Sequence, residues 1–180
     1  IELVYDGSNQ TVGLRFTGLS IPQGVSISKA YLQFTVDETN SGSTSLTIRG
    51  EDRDDASAFN TSIRNVSNRA KTSASVNWQP PAWNTVGTAG RDQRSPDLKN
   101  IIQEITNRGG WNSGNDIVLM ITGSGERTAE SHNGSSSKAP LLHIEYIDDG
   151  SSPAPDPETG GIKIAFIGDT GAGSNFQSIL

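Results

Sequence analysis

The chain of 180 residues has a formal net charge of −6 and contains no cysteine. This length suffices for one hydrophobic core and a short additional segment. A chain without cysteine excludes disulfides, zinc-thiolate sites and thiol nucleophiles, and the acid excess argues against nucleic-acid-binding and membrane-surface proteins. Hydrophobic residues make up 32% of the chain, and Gly, Ser, Thr and Asn are abundant, a composition that favours a turn-rich β domain over a helical bundle.

Strand-like segments separated by turns occupy the first 50 residues. The segments IELVY (1–5) and VGLRFTGL (12–19) predict strands joined by the turn-rich DGSNQT. The segments ISKAYLQFTVDE and TSLTIRGED alternate between apolar and polar residues, so each predicts a strand with one buried face. The residues expected on these buried faces are Leu32, Phe34, Val36, Leu46 and Ile48.

The segment SPDLKNIIQEITNRGG predicts the one helix of the domain. Ser95 is expected to cap this helix, Pro96 to occupy its first turn and Asp97 to complement its dipole. Gly109 is expected to end it. The buried stripe of the helix consists of Leu98, Ile101, Ile102 and Ile105.

The remaining pattern divides the chain into three parts. After a polar stretch with one short strand around ASVNW, the segments DIVLMITGSG and PLLHIEYI predict a fully buried strand and a closing strand. The predicted organisation is a domain of residues 1–147, a linker rich in Pro, Gly, Ser and acids at 148–161, and a further segment at 162–180. The first domain is predicted to be all-β, an antiparallel two-sheet β-sandwich (jelly-roll-like) with one short α-helix.

The C-terminal segment IKIAFIGDTGAGSNFQSIL has the profile of a buried parallel strand followed by a glycine-rich turn. A Walker loop would have Lys where Ser174 stands, and a dinucleotide fingerprint would have Gly at Phe176. The Asp-Thr-Gly of aspartic proteases normally follows an apolar residue, whereas Gly168 precedes it here. The segment resembles the opening of the calcineurin-like metallophosphoesterases, and this resemblance implies that Asp169 is a metal ligand in an intact domain. Because a two-metal site needs several ligands, we expect residues 162–180 to be the inactive, truncated start of such a domain.

The first domain carries a second resemblance. The phrases QTVGLRFTGLSIPQGVSISKAYLQFTVDETNSGSTSLTIRGED, SASVNWQPPAWNTVG, QRSPDLKNIIQEI and GERTAESHNGSSSKAPLLHIEY are similar to β-sandwich modules of large secreted bacterial proteins, of the DNRLRE-type carbohydrate-binding kind. The resemblance implies an extracellular module that binds polysaccharide. Related sandwiches also serve as spacers between domains, so a structural or adhesive role stays open.

Three tryptophans are candidates for sugar stacking. Trp78, Trp83 and Trp111 fall at strand ends or in loops, and the first two flank a Pro-Pro pair. Saccharide sites often combine a flat aromatic ring with charged and amide groups. On this interpretation Trp83→Ala weakens glycan retention with little effect on stability. The alternative is that the tryptophans plug the ends of the sandwich, because Trp is mostly buried in folded proteins.

Charged residues in two separate loops are candidates for binding an acidic or sulfated polysaccharide. Arg91 and Arg94 follow the Trp83 loop, and arginine pairs bidentately with carboxylate or sulfate. If the loops meet, a cationic pocket would form on an otherwise acidic domain; the alternative is that these charges only tie loops together. The long loop before the closing strand adds Glu126, Arg127, Glu130, His132 and Lys138.

The acidic cluster GEDRDDAS is a candidate calcium site. Asp52, Asp54 and Asp55 supply the hard oxygen ligands that Ca²⁺ prefers, with Glu51 next to them. The spacing differs from that of an EF-hand, and the alternative is a solvated acidic turn. Calcium is therefore the one predicted cofactor.

These features predict a monomeric, non-catalytic module that tethers an attached enzyme domain to polysaccharide. The competing hypothesis is a spacer without a small ligand. A third hypothesis, a lyase or hydrolase, would need paired carboxylates or a Tyr or His with Arg in one groove. His132 is the only histidine in a predicted loop, and we expect His143, which alternates with Leu142 and Ile144, to be structural.

Overall fold

The computed structural model describes residues 1–147 and the strand at 162–168. The predicted linker at 148–161 and the predicted metal ligand Asp169 lie outside the described residues. The strands in chain order are β1 (Tyr5–Asp6), β2 (Ser8–Asn9), β3 (Val12–Phe16), β4 (Ser26–Gln33), β5 (Val36–Glu38), β6 (Ser45–Gly50), β7 (Val76–Trp78), β8 (Ile117–Ser124), β9 (Thr128–Ala129), β10 (Leu141–Ile147) and β11 (Ile162–Gly168). One α-helix, α1 (Lys99–Thr106), and two short 3₁₀ turns, Arg91–Gln93 and Ser136–Lys138, complete the described elements.

Most of the strands belong to two antiparallel sheets. The β4 sheet has the strand order β11-β10-β4, and the β8 sheet has the order β3-β8-β6-β7. The pairs β1-β2 and β5-β9 stand beside these sheets. The predicted fold class, an all-β, two-sheet, sandwich-like domain with one short helix, is confirmed. None of the helices in the described part of the chain is long and apolar enough to cross a membrane.

Both sheets and the helix contribute to one hydrophobic cluster. The predicted alternation of buried residues is confirmed, because Leu32, Phe34, Leu46 and Ile48 are all buried in this cluster. The segment predicted as one strand instead forms two, β4 and β5, with Phe34 between them. Leu142 joins it from β10. Burying an aliphatic side chain of this size contributes about 1.5–3 kcal/mol, so the cluster supplies most of the driving force for folding.

The central strand β8 is apolar on both faces because each face is covered. Leu119 packs into the main cluster, whereas Val118 and Met120 belong to a second cluster with Ala56 and Val66. Ala56 and Val66 come from the long polar stretch between β6 and β7. This loop therefore covers the outer face of the β8 sheet, which explains why β8 lacks alternation.

The segment that leads into α1 protects the free edge of β4. Ser95 does not cap the helix as predicted; its Oγ accepts a hydrogen bond from Leu32 N at 2.9 Å. Asp97 Oδ1 accepts from Ala30 N and from Lys99 N, each at 3.0 Å. Unpaired strand edges promote aggregation, so both residues protect the sheet, and Asp97 also accepts from the first residue of the helix. The predicted buried stripe is confirmed, with Leu98, Ile101, Ile102 and Ile105 at 0 to 1% exposure.

The strand after the predicted linker pairs within the first domain. β11 runs antiparallel to β10, with Ile162 opposite Ile147 and Gly168 opposite Leu141. The prediction of a strand at this position is confirmed, and the prediction that it is parallel is wrong. The antiparallel pairing completes hydrogen bonding along the β10 edge that β4 leaves free. The assignment of 162–180 to a second domain stays a prediction.

Gly123 in β8 provides a sharp test of this strand register. Its φ of +148° is one that residues with a side chain rarely adopt, and an added Cβ would lie 2.0 Å from the carbonyl oxygen of Ser45. We expect Gly123→Ala to destabilise the fold by more than about 2 kcal/mol in urea unfolding. Gly42→Ala is the control because no atom lies within 4 Å of its added Cβ. Equal stability of the two variants would contradict the pairing of β8 with β6.

Candidate functional site

The three tryptophans are buried, so the predicted exposed stacking platform is wrong. Trp83 is 0% exposed, Trp111 1% and Trp78 5%. The Trp83 indole donates from Nε1 to Asp92 O at 3.2 Å, and that of Trp111 donates to Ile21 O at 2.9 Å. A buried ring whose polar atom already has a partner cannot offer a face to a sugar.

The tryptophans instead plug two ends of the domain. Phe34 stacks on Trp78 with ring centroids 5.7 Å apart and lies 6.2 Å from the ring of Trp83. This aromatic group lies just beyond the C-terminal end of β4. Trp111 bonds to Ile21, which precedes the N-terminal end of the same strand. The alternative interpretation considered for these residues, plugs at the ends of the sandwich, therefore describes the structure.

Arg127 is also buried, at 1% exposure, and is not available to a ligand in this structure. Its guanidinium donates to Pro81 O at 2.9 Å, to Pro80 O at 3.0 Å and to Thr44 Oγ1 at 2.8 Å. A further bond reaches Glu126 O at 2.5 Å. Burial lowers the pKa of Arg127 from its usual value, but a guanidinium stays protonated at neutral pH. Arg127 fixes the Pro-Pro loop against the chain before β9.

The two predicted loops meet along one short segment that follows β4. Gln93 O accepts from Phe34 N at 3.0 Å, and Glu130 N donates to Thr35 O at 2.9 Å. The chain that carries Arg91 and Arg94 and the chain that carries Glu130 to Lys138 therefore flank the same backbone. Sequence reasoning left this convergence open, because it depends on long-range pairing.

Arg94, another of the predicted ligand residues, is half-buried and packs against Tyr31. Its guanidinium carbon lies 4.2 Å from the centroid of the Tyr31 ring, and its Nε donates to Gln33 Oε1 at 3.0 Å. Tyr31 stacks in turn on His143 with centroids 4.4 Å apart. His143 Nε2 lies 2.8 Å from Glu145 Oε1, and this hydrogen bond is the largest cause that lowers the pKa of Glu145 below its ordinary value. A row of planar groups thus stands on the outer face of the β4 sheet.

The other predicted ligand residues have mixed positions. Arg91 and Lys138 are exposed, and Lys138 Nζ lies 3.5 Å from Glu130 Oε1. His132 and Glu126 are half-buried. The alternative role of these charges, tying loops together, applies to Arg127, whereas the pair of Lys138 with Glu130 lies within one loop.

The predicted calcium ligands are engaged by protein groups. Asp52 and Asp54 both pair with Arg108, and Arg108 Nε lies 2.6 Å from Asp54 Oδ1. These bonds, led by the one from Asp54, raise the pKa of Arg108. Asp55 Oδ1 accepts from Asp116 N at 3.0 Å. Within residues 1–147 no group of three or more His, Asp or Glu side chains is arranged to hold a metal. Calcium binding stays a prediction, which melting curves with Ca²⁺ and with chelator test.

The sequence did not predict a groove that lies in the loop between β6 and β7, above the β8 sheet. It encloses about 440 Å³, and its floor and walls include Glu51, Asp52, Arg53, Ser62, Ile63, Arg64, Asn65, Asn68, Arg69 and Ala70. Arginine and amide residues are dense in FNTSIRNVSNRAK, and that density is the signal that could have indicated the groove. The stretch is weakly periodic, so its fold could not be derived from hydrophobic pattern.

Comparison of the chain with protein-family models, with curated proteins and with solved structures gave no match.

Burial reverses the expectation for Trp83. Replacing this fully buried indole with Ala leaves a large cavity, which costs about 3–5 kcal/mol for Trp in other cores. We expect Trp83→Ala to lower the melting temperature strongly. Val86→Ala is the matched control, because Val86 lies in the same loop and is 58% exposed. A Trp83→Ala variant as stable as Val86→Ala would show that the indole is not a structural plug.

Proposed function

We propose that the chain is a non-catalytic carbohydrate-binding module that tethers an attached enzyme domain to an acidic or sulfated polysaccharide. The observation that carries this proposal is the position of the Arg94 guanidinium, 4.2 Å over the centroid of the Tyr31 ring, where the two charged loops meet. On this proposal the module acts outside the cell. The assignment of 162–180 to a tethered metallophosphoesterase-like domain remains part of the proposal, although β11 pairs with β10 in the structure.

The geometry of Arg94 suits an oxyanion. Its Nε is used by Gln33, while its two terminal nitrogens make no hydrogen bond to any residue that the structure describes. A guanidinium offers these nitrogens as a fork that matches carboxylate or sulfate. Because Tyr31 and Gln33 already fix its orientation, little side-chain entropy is lost on binding. Arg91 adds exposed positive charge from the same loop as Arg94, and Lys138 is exposed on the other loop, where it is paired with Glu130.

A structural or adhesive spacer is the second candidate function. The burial of all three indoles and of Arg127 favours it, because these residues then serve only to stiffen the domain. A spacer needs stable ends and no ligand. The two functions differ in whether Arg94 and its neighbours retain a glycan.

Affinity electrophoresis in gels that contain a sulfated or carboxylated polysaccharide separates these functions. We expect Arg94→Gln to weaken retention about fivefold, since a partly exposed charged hydrogen bond contributes about 1 kcal/mol. Lys99→Gln removes the same charge from the exposed side of α1 and should leave retention unchanged. Unchanged retention in both Arg94→Gln and Lys138→Gln would reject the proposed site and favour the spacer.

A further inference from the structure

We propose that the groove above the β8 sheet is a second, independent binding site for sulfate or carboxylate groups of an acidic glycan, with Arg53 and Arg64 as its ligand-binding residues. This goes beyond the function proposed above, because the groove is built from the loop between β6 and β7. Arg94 and Tyr31 belong to the β4 sheet instead, so either site can fail without the other.

The charges in the groove leave two guanidiniums available. Glu51 pairs with Arg69 at 2.6 Å, and Asp52 pairs with Arg108, which lies outside the groove. Glu51 is thus neutralised by Arg69, whereas Arg108 is shared between Asp52 and Asp54. The lining of the groove still holds three arginines against two acids. Arg53 and Arg64 are exposed and form no ion pair within the described part of the chain. Local positive charge therefore faces an open groove on a protein whose net charge is −6.

Arg69 makes the groove wall rigid. Besides Glu51, it donates to Ser57 O at 2.8 Å, to Ala58 O at 3.1 Å and to Asn65 O at 3.0 Å. Its guanidinium also lies 4.7 Å from the centroid of the Phe59 ring. The loop is further anchored by the small apolar cluster that covers Val118 and Met120. A ligand would meet a preformed wall and pay little to order it.

The backbone at Arg64 is held in an uncommon conformation. Its φ is +60°, one of two positive values among the non-glycine residues of the described chain. A hydrogen bond from Asn68 N to Arg64 O, 3.0 Å long, closes this turn. Left-handed backbone at a residue with a long side chain is a sign of functional constraint when the surroundings maintain it. Arg64, with this left-handed backbone, is one of the residues that line the groove.

The other groove residues favour a sugar over a free ion. Ile63 is 84% exposed, so the rim carries an apolar side chain that can cover the C–H face of a sugar ring. Ser62 and Asn68 supply hydroxyl and amide groups that can bond to sugar hydroxyls. Apolar contact, neutral hydrogen bonding and fixed cationic groups together are the combination that an acidic saccharide requires.

Isothermal titration with three oligosaccharides of equal length, one sulfated, one carboxylated and one uncharged, tests this site. We expect saturable binding of at least one acidic probe, weakened by added salt, and no binding of the uncharged probe. In Arg53→Gln/Arg64→Gly the groove affinity should fall about tenfold or more. Glycine accepts a positive φ without strain, so this variant should keep its melting temperature.

The matched control is Arg94→Gln/Lys138→Gln, which removes two positive charges outside the groove. If both sites exist, the wild type binds two probes and each double variant binds one. If only the groove binds, the control double variant binds like the wild type and the groove variant loses binding. If Arg53→Gln/Arg64→Gly binds with wild-type affinity and stoichiometry, or if the uncharged probe binds equally well, the inference is overturned.

Discussion

The long loops of this fold depend on guanidinium groups that donate to backbone carbonyls. Arg127 holds the Pro80 and Pro81 carbonyls, and Arg69 holds those of Ser57 and Ala58. Arg15 holds Ala56 in the same way, at 3.0 Å. An unpartnered carbonyl would be costly in the buried position of Pro80, and one arginine offers five donors in a fixed plane. In a chain without cysteine and with few apolar loop residues, these contacts replace the disulfides that fix loops in other small domains.

This use of arginine explains how an acidic domain can present localised positive charge. Arginines that are sealed in loops neutralise nearby acids or satisfy carbonyls, as Arg69 and Arg127 do. The loops that they stiffen then carry Arg53, Arg64 and Arg94 at the surface. If both proposed sites bind one polymer, the overall affinity would exceed the affinity of either site alone. The increase comes from the effective concentration of the second site and needs no new contact. Tethering of an attached domain would benefit directly from this arrangement.

Hydrophobic periodicity predicted the parts of the fold where burial decides conformation. The alternation around Leu32 and the stripe through Ile101 correctly predicted which faces are buried. A period of 2 in a strand and of 3.6 in a helix follows directly from backbone geometry. Ser95 misled the helix prediction, since its hydroxyl is equally able to bond the neighbouring edge of β4. The pattern of α1 was thus predictable, whereas its capping depended on a tertiary partner.

The site was less predictable because exposure in loops has no period. Trp83 and Arg94 lie 11 positions apart in similar polar surroundings, yet the indole is sealed and the guanidinium is partly exposed. What separates them is the pairing of Trp83 with Asn40 and the packing of its ring on Phe34, both long-range contacts. The groove around Arg64 was missed for the same reason. Arg69 holds its wall by donating to the carbonyls of Ser57 and Ala58, which lie in a stretch without hydrophobic alternation.

Chemical-shift mapping of the isotope-labelled chain during titration with a sulfated oligosaccharide distinguishes binding by the groove arginines from binding by the tryptophans. We expect the backbone amide signals of residues 51–53 and 62–70 to shift with saturation, while the indole N–H signals of Trp83 and Trp111 stay in place. If the indole signals shift while the groove amides do not, the proposed groove site is contradicted. The tryptophans would then contact the sugar, and the arginines would be only structural.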